Sequence, residues 1–385
     1  MLWFSDMNEN QQQRYAKIPK KTMIKLHSFT SDLADIISRS TVAPGKSLRW
    51  TIIANPSAGG FTIKRRWKQH KEALRLALEK VQKNPERNDV VPSRYSQDMY
   101  GLVPTIAPGH ARTAAKEIVK EMTEDTNSFF LFITAGGDGT SLEVLHTLFF
   151  APRKLMSRYV ILRLPMGTGN DGADAFKMED ALELLVHPTH IVYKSGLKLS
   201  TATQKTWPGG EPFMAFNILS LGLDAFVTHM TNKMKGIFPG DSYKLWVDIA
   251  ALFYDRLYKT DYYEVRGYEE NRKVVDFRER LLLCAMGESG YRYYGSHKPV
   301  LPDNRNVCFM KQMSLFRKII IKELMLNGGH INTPEAILFN ASRIEISGQE
   351  PIMAQMDGEA IHLETEEFPV TIELTDPVIP VLKFN

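Results

Sequence analysis

Apolar positions recur at two spacings in the first half of the chain, and the two alternate. Leu48 to Ala54 (LRWTIIA) is rich in β-branched and aromatic residues and predicts a strand. Ile63, Trp67, Leu74, Leu78 and Val81 then fall on one face of a helix. Tyr100 to Ala107 predicts a second strand, Pro108-Gly109 punctuates it, and the Ala-rich stretch His110 to Met122 predicts a helix. Ser128 to Thr134 (SFFLFIT) is apolar without interruption, the pattern of a strand covered on both faces. A helix running through Phe149, a fourth strand over Arg158 to Leu164 and a helix over Met178 to Val186 complete the run. Lys83 to Asp98, polar and holding Pro85 and Pro92, reads as a loop. Repeated strand–helix units of this length predict a doubly wound α/β domain built on a parallel sheet.

Past about residue 190 the period changes. Ile191 to Ser200, Phe213 to Leu221, Tyr262 to Arg266, Lys273 to Met286, Asn306 to Gln312, Ser342 to Ser347 and Ala360 to Glu364 read as strands. Two helical stretches interrupt them, Tyr243 to Leu257 behind a cap at Asp241 or Ser242, and Leu315 to Leu326 stopped by Gly328-Gly329. The second half is therefore expected to be antiparallel β. Residues 1–47 are polar and mixed, with helical character near Leu33 to Ile37, and read as an N-terminal extension ending at Ala43-Pro44-Gly45. The expected divisions are 1–47, 48–190 and 191–376.

Composition narrows the function classes. The 385 residues carry 48 Lys+Arg against 44 Asp+Glu, a net charge of +4 that is too small to be the footprint of a nucleic-acid binder. Two cysteines, Cys284 and Cys308, cannot build a disulfide framework, and a reducing, cytoplasmic setting is expected. No apolar stretch is long enough to span a bilayer, and the first residues lack a signal peptide's pattern, so any membrane contact is expected to be peripheral.

Three Gly-rich turns follow three of the predicted strands. In a parallel sheet such strand ends lie on one side, where these folds bind ligands. The first, Asn55-Pro56-Ser57-Ala58-Gly59-Gly60, lacks the Gly-Lys-Ser/Thr of a P-loop and alone reads as a plain strand-to-helix turn. The second, Gly136-Gly137-Asp138-Gly139-Thr140, surrounds one carboxylate with three glycines, more than an ordinary turn needs, and points to close backbone approach by phosphates. The third, Gly167-Thr168-Gly169-Asn170-Asp171-Gly172, matches G-x-G-x-x-G formally. No Asp or Glu follows in His190 to Ser200, so the dinucleotide reading is rejected, while contacts to an anion or ribose from Thr168, Asn170 and Asp171 stay open. Near the C-terminus Met356-Asp357-Gly358-Glu359 places two carboxylates beside a glycine, which by itself reads as a hairpin turn. The basic run Lys64-Arg65-Arg66 with Lys68 and Lys71 reads as a solvated helix face, and Tyr291, Tyr293 and Tyr294 as packing.

The three turns in this order and spacing resemble the diacylglycerol kinase catalytic domain family, which includes soluble bacterial diacylglycerol kinases and sphingosine kinase-like lipid kinases. The resemblance runs from about Leu48 to the C-terminus, through NPSAGG, GGDGT with Glu143 behind it, MGTGND, GLDAF (Gly222 to Phe226), NGGH (Asn327 to His330) and MDGE. It implies a nucleotide domain completed by the last segment (377–385), a β-sandwich lipid-binding domain, and an active site in the cleft between them. It implies transfer of the γ-phosphate of ATP, with Mg²⁺, to a lipid hydroxyl such as that of diacylglycerol or a sphingoid base. On this resemblance Asn55, Pro56, Ser57, Gly59, Thr105, Gly136, Gly137, Gly139, Thr140, Gly167, Thr168, Gly169 and Asn170 hold the nucleotide. Asp138, Asp171 and Asp224 organise the metal, and Asp357 is the base with Glu359 beside it. Expected partners are a lipid substrate and a membrane surface, with room for a homodimer. Leu245, Ile249, Leu252 and Phe253 either line the lipid pocket or face the core. Two departures stand out. Leu142 replaces an Asn frequent before the Glu, and Arg305 replaces the Gly of an Asp-Asp-Gly stretch that binds a structural Mg²⁺ in many bacterial members. The rival readings are an NAD kinase-like enzyme, which shares a GGDGT turn, and a catalytically silent lipid-binding protein.

Overall fold

A computed structural model describes residues 17–95, 101–167, 169–187, 190–207, 210–235, 254–258, 260–294 and 298–383. The chain divides into two compact units, Met1–Lys194 with Pro377–Asn385, and Ser195–Asp376.

The first unit is the α/β layer structure that the alternating periods predict. Its strands are β1 (Leu48–Ala54), β2 (Val90–Pro92), β3 (Leu102–Pro104), β4 (Phe129–Ala135), β5 (Tyr159–Arg163) and β6 (His190–Lys194). The sheet order is β2-β1-β4-β5, then the C-terminal strand Ile379–Lys383, then β6, with β3 also on β1. Pairing is parallel throughout except between the C-terminal strand and β6. β4 is buried along its whole length, as its unbroken apolar run requires. Phe129, Leu131 and Ile133 on one face share a core with α1 (Lys20–Ile37), α2 (Lys64–Val81) and α5 (Met178–Val186). The helices α3 (His110–Glu124) and α4 (Asp138–Phe149) bury Ala111, Ala114, Ile118, Val144 and Leu145.

Three elements depart from the sequence reading. The region read as a polar extension contains the 18-residue helix α1. Leu26, Phe29, Leu33, Ile36 and Ile37 recur at helical spacing and are fully buried, and Phe29 packs edge-on against Phe61 at 5.5 Å. The lysines that colour the segment polar lie at its start, Lys20, Lys21 and Lys25. Second, β2 lies in the stretch read as loop. Three residues pairing with Leu48–Trp50 leave no periodicity to detect. Third, Ile191 to Ser200 is broken at Ser195-Gly196 into β6, which belongs to the first unit, and the strand Leu197–Ser200, which belongs to the second. Thr375 marks the return, donating its N–H to Gly196 O at 2.9 Å and accepting from Gly196 N at 2.8 Å.

The second unit is antiparallel and β-rich. Its 11-stranded sheet turns on one long strand, Arg272–Gly287. The first part pairs with Tyr262–Glu269, and the rest with Val307–Lys311 and Ile218–Gly222. Leu197, Val265, Ile344 and Ile372 from one half meet Leu219, Cys284, Phe309 and Ala354 from the other in a single core, so the sheet folds over itself as a sandwich. Among its described residues are the helices α6 (Leu223–Lys235) and α7 (Leu315–Met325) and a single helical turn, Tyr254–Leu257. Leu245, Ile249, Leu252 and Phe253 lie outside the described residues, as do Asp241 and Ser242.

Because α1 supplies a wall of the first core, Phe29→Ala is expected to lower the unfolding free energy by about 3–5 kcal/mol. Denaturant titration measures this, and an unchanged midpoint would show that the helix only decorates the unit.

Candidate active site

Four strand ends build the site, and each is set by where its strand stops. β3, β1, β4 and β5 are neighbours in the sheet and run parallel, so their C-terminal ends lie side by side. Thr105 follows β3, Asn55 follows β1, Gly136 follows β4 and Gly167 lies in the turn after β5. Thr105 donates its N–H to Ala54 O at 2.7 Å, and Asn55 to Ala135 O at 3.0 Å, extending the ladder into the turns.

The first turn is held by Asn55, whose Oδ1 accepts from Ser57 N at 2.9 Å, leaving Ser57 exposed and Pro56 buried. Gly59 opens a single helical turn, Gly59–Thr62. Gly60 N donates to Met166 O at 2.8 Å and ties this turn to the third. Arg66, in the run read as a solvated face, donates to Gly167 O at 2.8 Å, so one cation of that run serves the site. Nothing in residues 64–71 alone marks Arg66 from its neighbours.

The glycines separate into two kinds. A Cβ on Gly136 would sit 2.5 Å from Thr140 Oγ1, and one on Gly167 would sit 2.6 Å from the Cα of Gly137, so these two are required by packing. Gly137 is different. Its φ of −90° suits any residue, and an added Cβ would meet nothing nearer than 3.9 Å. The fold does not need a glycine there, whereas a ligand approaching the N-terminus of α4 would. Gly139 lies in the first turn of that helix.

Asp138 opens α4, and its Oδ1 accepts from Gly172 N at 3.1 Å, joining the second turn to the third. A Cβ on Gly169 would lie 3.1 Å from Asp171 Oδ2 and 3.2 Å from Asp138 Oδ2, so both carboxylates flank that glycine. Asn170 sits beside them in the left-handed region at φ 58°. Thr168 lies outside the described residues. Glu143 accepts from Gly109 N at 2.7 Å and Arg112 N at 3.2 Å, so it caps the start of α3 and fixes the loop that carries Thr105. Leu142, where a polar residue is frequent in the family, is buried.

The third turn is closed by a buried ion pair. Arg163 at the end of β5 contacts Asp174 through its backbone N–H at 2.7 Å and through its guanidinium at 2.7 and 3.3 Å, and both side chains are almost wholly buried. Burial alone pushes the Asp174 carboxyl up. The Arg163 guanidinium, Lys194 and the hydrogen bonds from Arg163 outweigh it and hold the group below its ordinary 3.8. A carboxylate held down in this way contributes its stability fully above about pH 4, and that contribution is lost as pH falls through the lowered value.

In the second unit the MDGE residues divide their labour in a way the sequence does not announce. Asp357 turns the chain between the strands Ile352–Met356 and Glu359–Leu363 at φ 46°. Its carboxylate is buried and accepts from Phe216 N at 2.5 Å, Asn217 N at 3.0 Å and Ile218 N at 2.9 Å. These amides lie where the predicted strand Phe213 to Leu221 breaks into Phe213–Ala215 and Ile218–Gly222. A carboxylate offers about four lone-pair positions. Three are used here, so the Asp357 carboxylate anchors the start of the strand Ile218–Gly222. Glu359, two residues on, is exposed.

Asp224 lies in the second unit, where its Oδ2 accepts from Ser220 Oγ at 2.7 Å and Gln355 Nε2 at 3.4 Å. It also lines an apolar cavity of about 170 Å³ with Leu223, Val227, Met310, Ile321 and Met325. Among the described residues no group of three or more His, Cys, Asp or Glu is placed to hold a metal ion. A Mg²⁺ ion carried in with a triphosphate takes only one or two carboxylates from the protein. Asp138 and Asp171 meet that requirement, so the residues fit the ion without Asp224. The structural Mg²⁺ stretch does not fit. Arg305 forks onto Asp303, with Nε at 3.2 and 3.0 Å and Nη2 at 2.5 Å from its oxygens, so a guanidinium fills the cation's place.

Residues 49–194 match the family model of the diacylglycerol kinase catalytic domain. Three solved structures of proteins from Bacillus anthracis strain Sterne share the fold. One candidate diacylglycerol kinase superposes with a TM-score of 0.53 at 18% identity, over 88% of this chain and 98% of that one. A second candidate gives 0.53 at 16% identity, over 89% and 98%. A third protein, described as a diacylglycerol kinase, gives 0.50 at 14% identity, over 89% and 98%. No curated protein matches the sequence.

Two expectations follow from this geometry. Gly137→Val is expected to keep the unfolding midpoint and weaken ATP binding at least tenfold, whereas Gly167→Ala lowers the midpoint; calorimetric titration beside thermal unfolding separates them, and unaltered ATP binding by Gly137→Val would remove that glycine from the site. Asp174→Ala takes away the carboxylate that the buried Arg163 binds, and is expected to cost about 3–5 kcal/mol and to flatten the loss of stability below about pH 4. Urea titrations across pH measure both, and a variant as acid-labile as the parent would contradict the assignment.

Proposed function

We propose that this chain, which carries the diacylglycerol kinase catalytic domain over residues 49–194, is an ATP-dependent lipid kinase that transfers the γ-phosphate to a lipid hydroxyl. The observation that carries the reading is Gly137. A position at the head of α4 that needs no glycine for folding is kept free of side-chain bulk, with Asp138 next in the chain and Asp171 near Asp138 at Gly169. Phosphoryl transfer asks mainly for positioning and for charge stabilisation around the phosphoryl oxygens. The amides of the Gly136–Thr140 turn and of Gly167, Gly169 and Asn170 supply N–H donors, and the first turn of α4 adds its positive end. Mg²⁺, when bound, neutralises charge on the β- and γ-phosphates, and Asp138 and Asp171 are the residues that would hold it.

The lipid half of the reading rests on the apolar cavity of the second unit, with Asp224 as the carboxylate in its wall able to accept from a hydroxyl. The hydroxyl oxygen forms its bond to the γ-phosphorus as the bond to the β-bridging oxygen breaks and ADP leaves. The hydroxyl proton passes to a carboxylate. We assign that part to Glu359, with Asp357 beside it, because three of the four lone-pair positions of Asp357 are taken by Phe216, Asn217 and Ile218. Asp357 is a positioning residue that holds the turn on which Glu359 stands. A membrane surface as the source of substrate, and a cytoplasmic setting, belong to the same proposal.

Glu359→Gln is expected to cut kcat for lipid phosphorylation by roughly 10²–10⁴-fold with little change in KM or melting temperature, the range for a lost general base. Asp357→Asn cannot accept all three amides and is expected to lower the melting temperature as well. Labelled-phosphate transfer to dispersed diacylglycerol and sphingoid bases, beside thermal unfolding, reads both. Full activity of Glu359→Gln would return the proton to another group.

A further inference from the structure

Helix α2 opens against a local rule. A helix dipole favours acids in the first turn and disfavours cations there. The first turn of α2 holds no acid and begins Lys64-Arg65-Arg66, with Lys68 one turn after Lys64. No Asp or Glu stands between Asp35 and Glu72 in the chain. Lys64, Arg65 and Lys68 are exposed, and Arg66 is half-buried. The nearby acids do not cancel this charge. Glu72 is bound by Arg75 at 2.7 and 3.0 Å, and Asp32 by Lys71. Glu179 on α5 acts on His70. Burial pushes His70 down to about 4, with Glu179 opposing the shift and Arg66 adding to it, so His70 brings no charge near neutral pH.

Arg66 carries the charge inward to the glycine turns. Its Nη1 donates to Gly167 O at 2.8 Å. Gly167 in turn packs on Gly137, since an added Cβ would come within 2.6 Å of the Gly137 Cα. Among the described residues no carboxylate pairs with Arg66. A guanidinium keeps its charge and carries five N–H donors in a rigid fork that matches a phosphate. Gly167 O takes one donor, so the others remain available beside the backbone that Gly137 leaves clear. A half-buried charge without a counter-ion is satisfied by an anion.

We propose that Arg66 is a phosphate-binding residue of the nucleotide site, and that Lys64, Arg65 and Lys68 form an outer cationic rim that draws the triphosphate toward it. All three stand within two residues of Arg66, inside the roughly 8 Å that physiological salt leaves unscreened. Exposed rim charges raise the rate of encounter, whereas a direct charged contact sets how long the complex lasts. The inference rests on the reading of the glycine turns as an ATP site and adds to it the side chains that recognise the phosphates.

The test uses the full chain. Stopped-flow mixing with ATP labelled by a fluorophore on its ribose gives the rates, and titration with ATP and with adenosine gives the affinities, beside thermal unfolding. Arg66→Gln keeps an amide donor for Gly167 O but no charge. It is expected to bind ATP about tenfold or more weakly, the loss of a charged hydrogen bond, and to bind adenosine as the parent does. Arg66→Lys keeps the charge without the fork and is expected to fall between the two for ATP. Equal losses for ATP and adenosine would show that Arg66 only shapes the turn, and would overturn the assignment, as would ATP binding by Arg66→Gln at the parent's strength. Lys64→Gln/Arg65→Gln/Lys68→Gln is expected to slow association several-fold in dilute buffer, to leave dissociation unchanged, and to match the parent in about 1 M salt, where screening acts within about 3 Å. Equal association rates in dilute buffer would refute the rim. A parent that binds no ATP would end this proposal and the kinase reading together. The expected changes in a chain that phosphorylates no lipid would uphold the phosphate contacts and overturn the kinase reading alone.

Discussion

The site in the first unit depends on one buried ion pair. Arg163 ends β5, and Asp174 lies eleven residues on, after a glycine-rich excursion that has no regular structure to hold it. Their contact closes that excursion onto the strand it left. Once closed, the turn can receive Gly60 N on Met166 O, Arg66 on Gly167 O and Gly172 N on Asp138. Each of these bonds comes from a different element, so the ion pair is the condition under which three separate loops share one surface. Buried pairs are poor sources of net stability, and their best-attested use is to fix one arrangement among several. That use suits a loop whose backbone must meet an anion at a set distance.

Much of this was legible in the sequence, and the reason is period. β1 and β4 could be read from apolar runs, and three Gly-rich turns were readable because each follows such a run. What the sequence hides is whatever depends on partners brought in from afar. The Arg163–Asp174 pair has no spacing rule, because the chain between them is a loop. Arg66 looks like its basic neighbours until the third turn is folded against it. Helix α1 was masked by its lysines, although Leu26, Phe29, Leu33 and Ile37 hold helical spacing. Asp357 is a further case. As a residue type it is a good base, and only the fold shows that its carboxylate also accepts from the amides of Phe216, Asn217 and Ile218.

The second unit shows the same economy at Arg305 and α7. A guanidinium forked on Asp303 neutralises that carboxylate from within the same loop. On α7, two ion pairs on one side of the helix hold its apolar residues outward, an orientation that water alone would disfavour. In both places charge fixes geometry, and the apolar groups then take the surroundings that geometry gives them.

The most direct measurement of the central claim is transfer from ATP carrying labelled γ-phosphate, in the presence of Mg²⁺, to a panel of hydroxylated lipids, followed by phase partition and mass spectrometry. The account predicts label in the organic phase, in a phosphorylated lipid, and its loss in Gly137→Val. Label recovered only in water, as inorganic phosphate or as phosphorylated NAD, would contradict it.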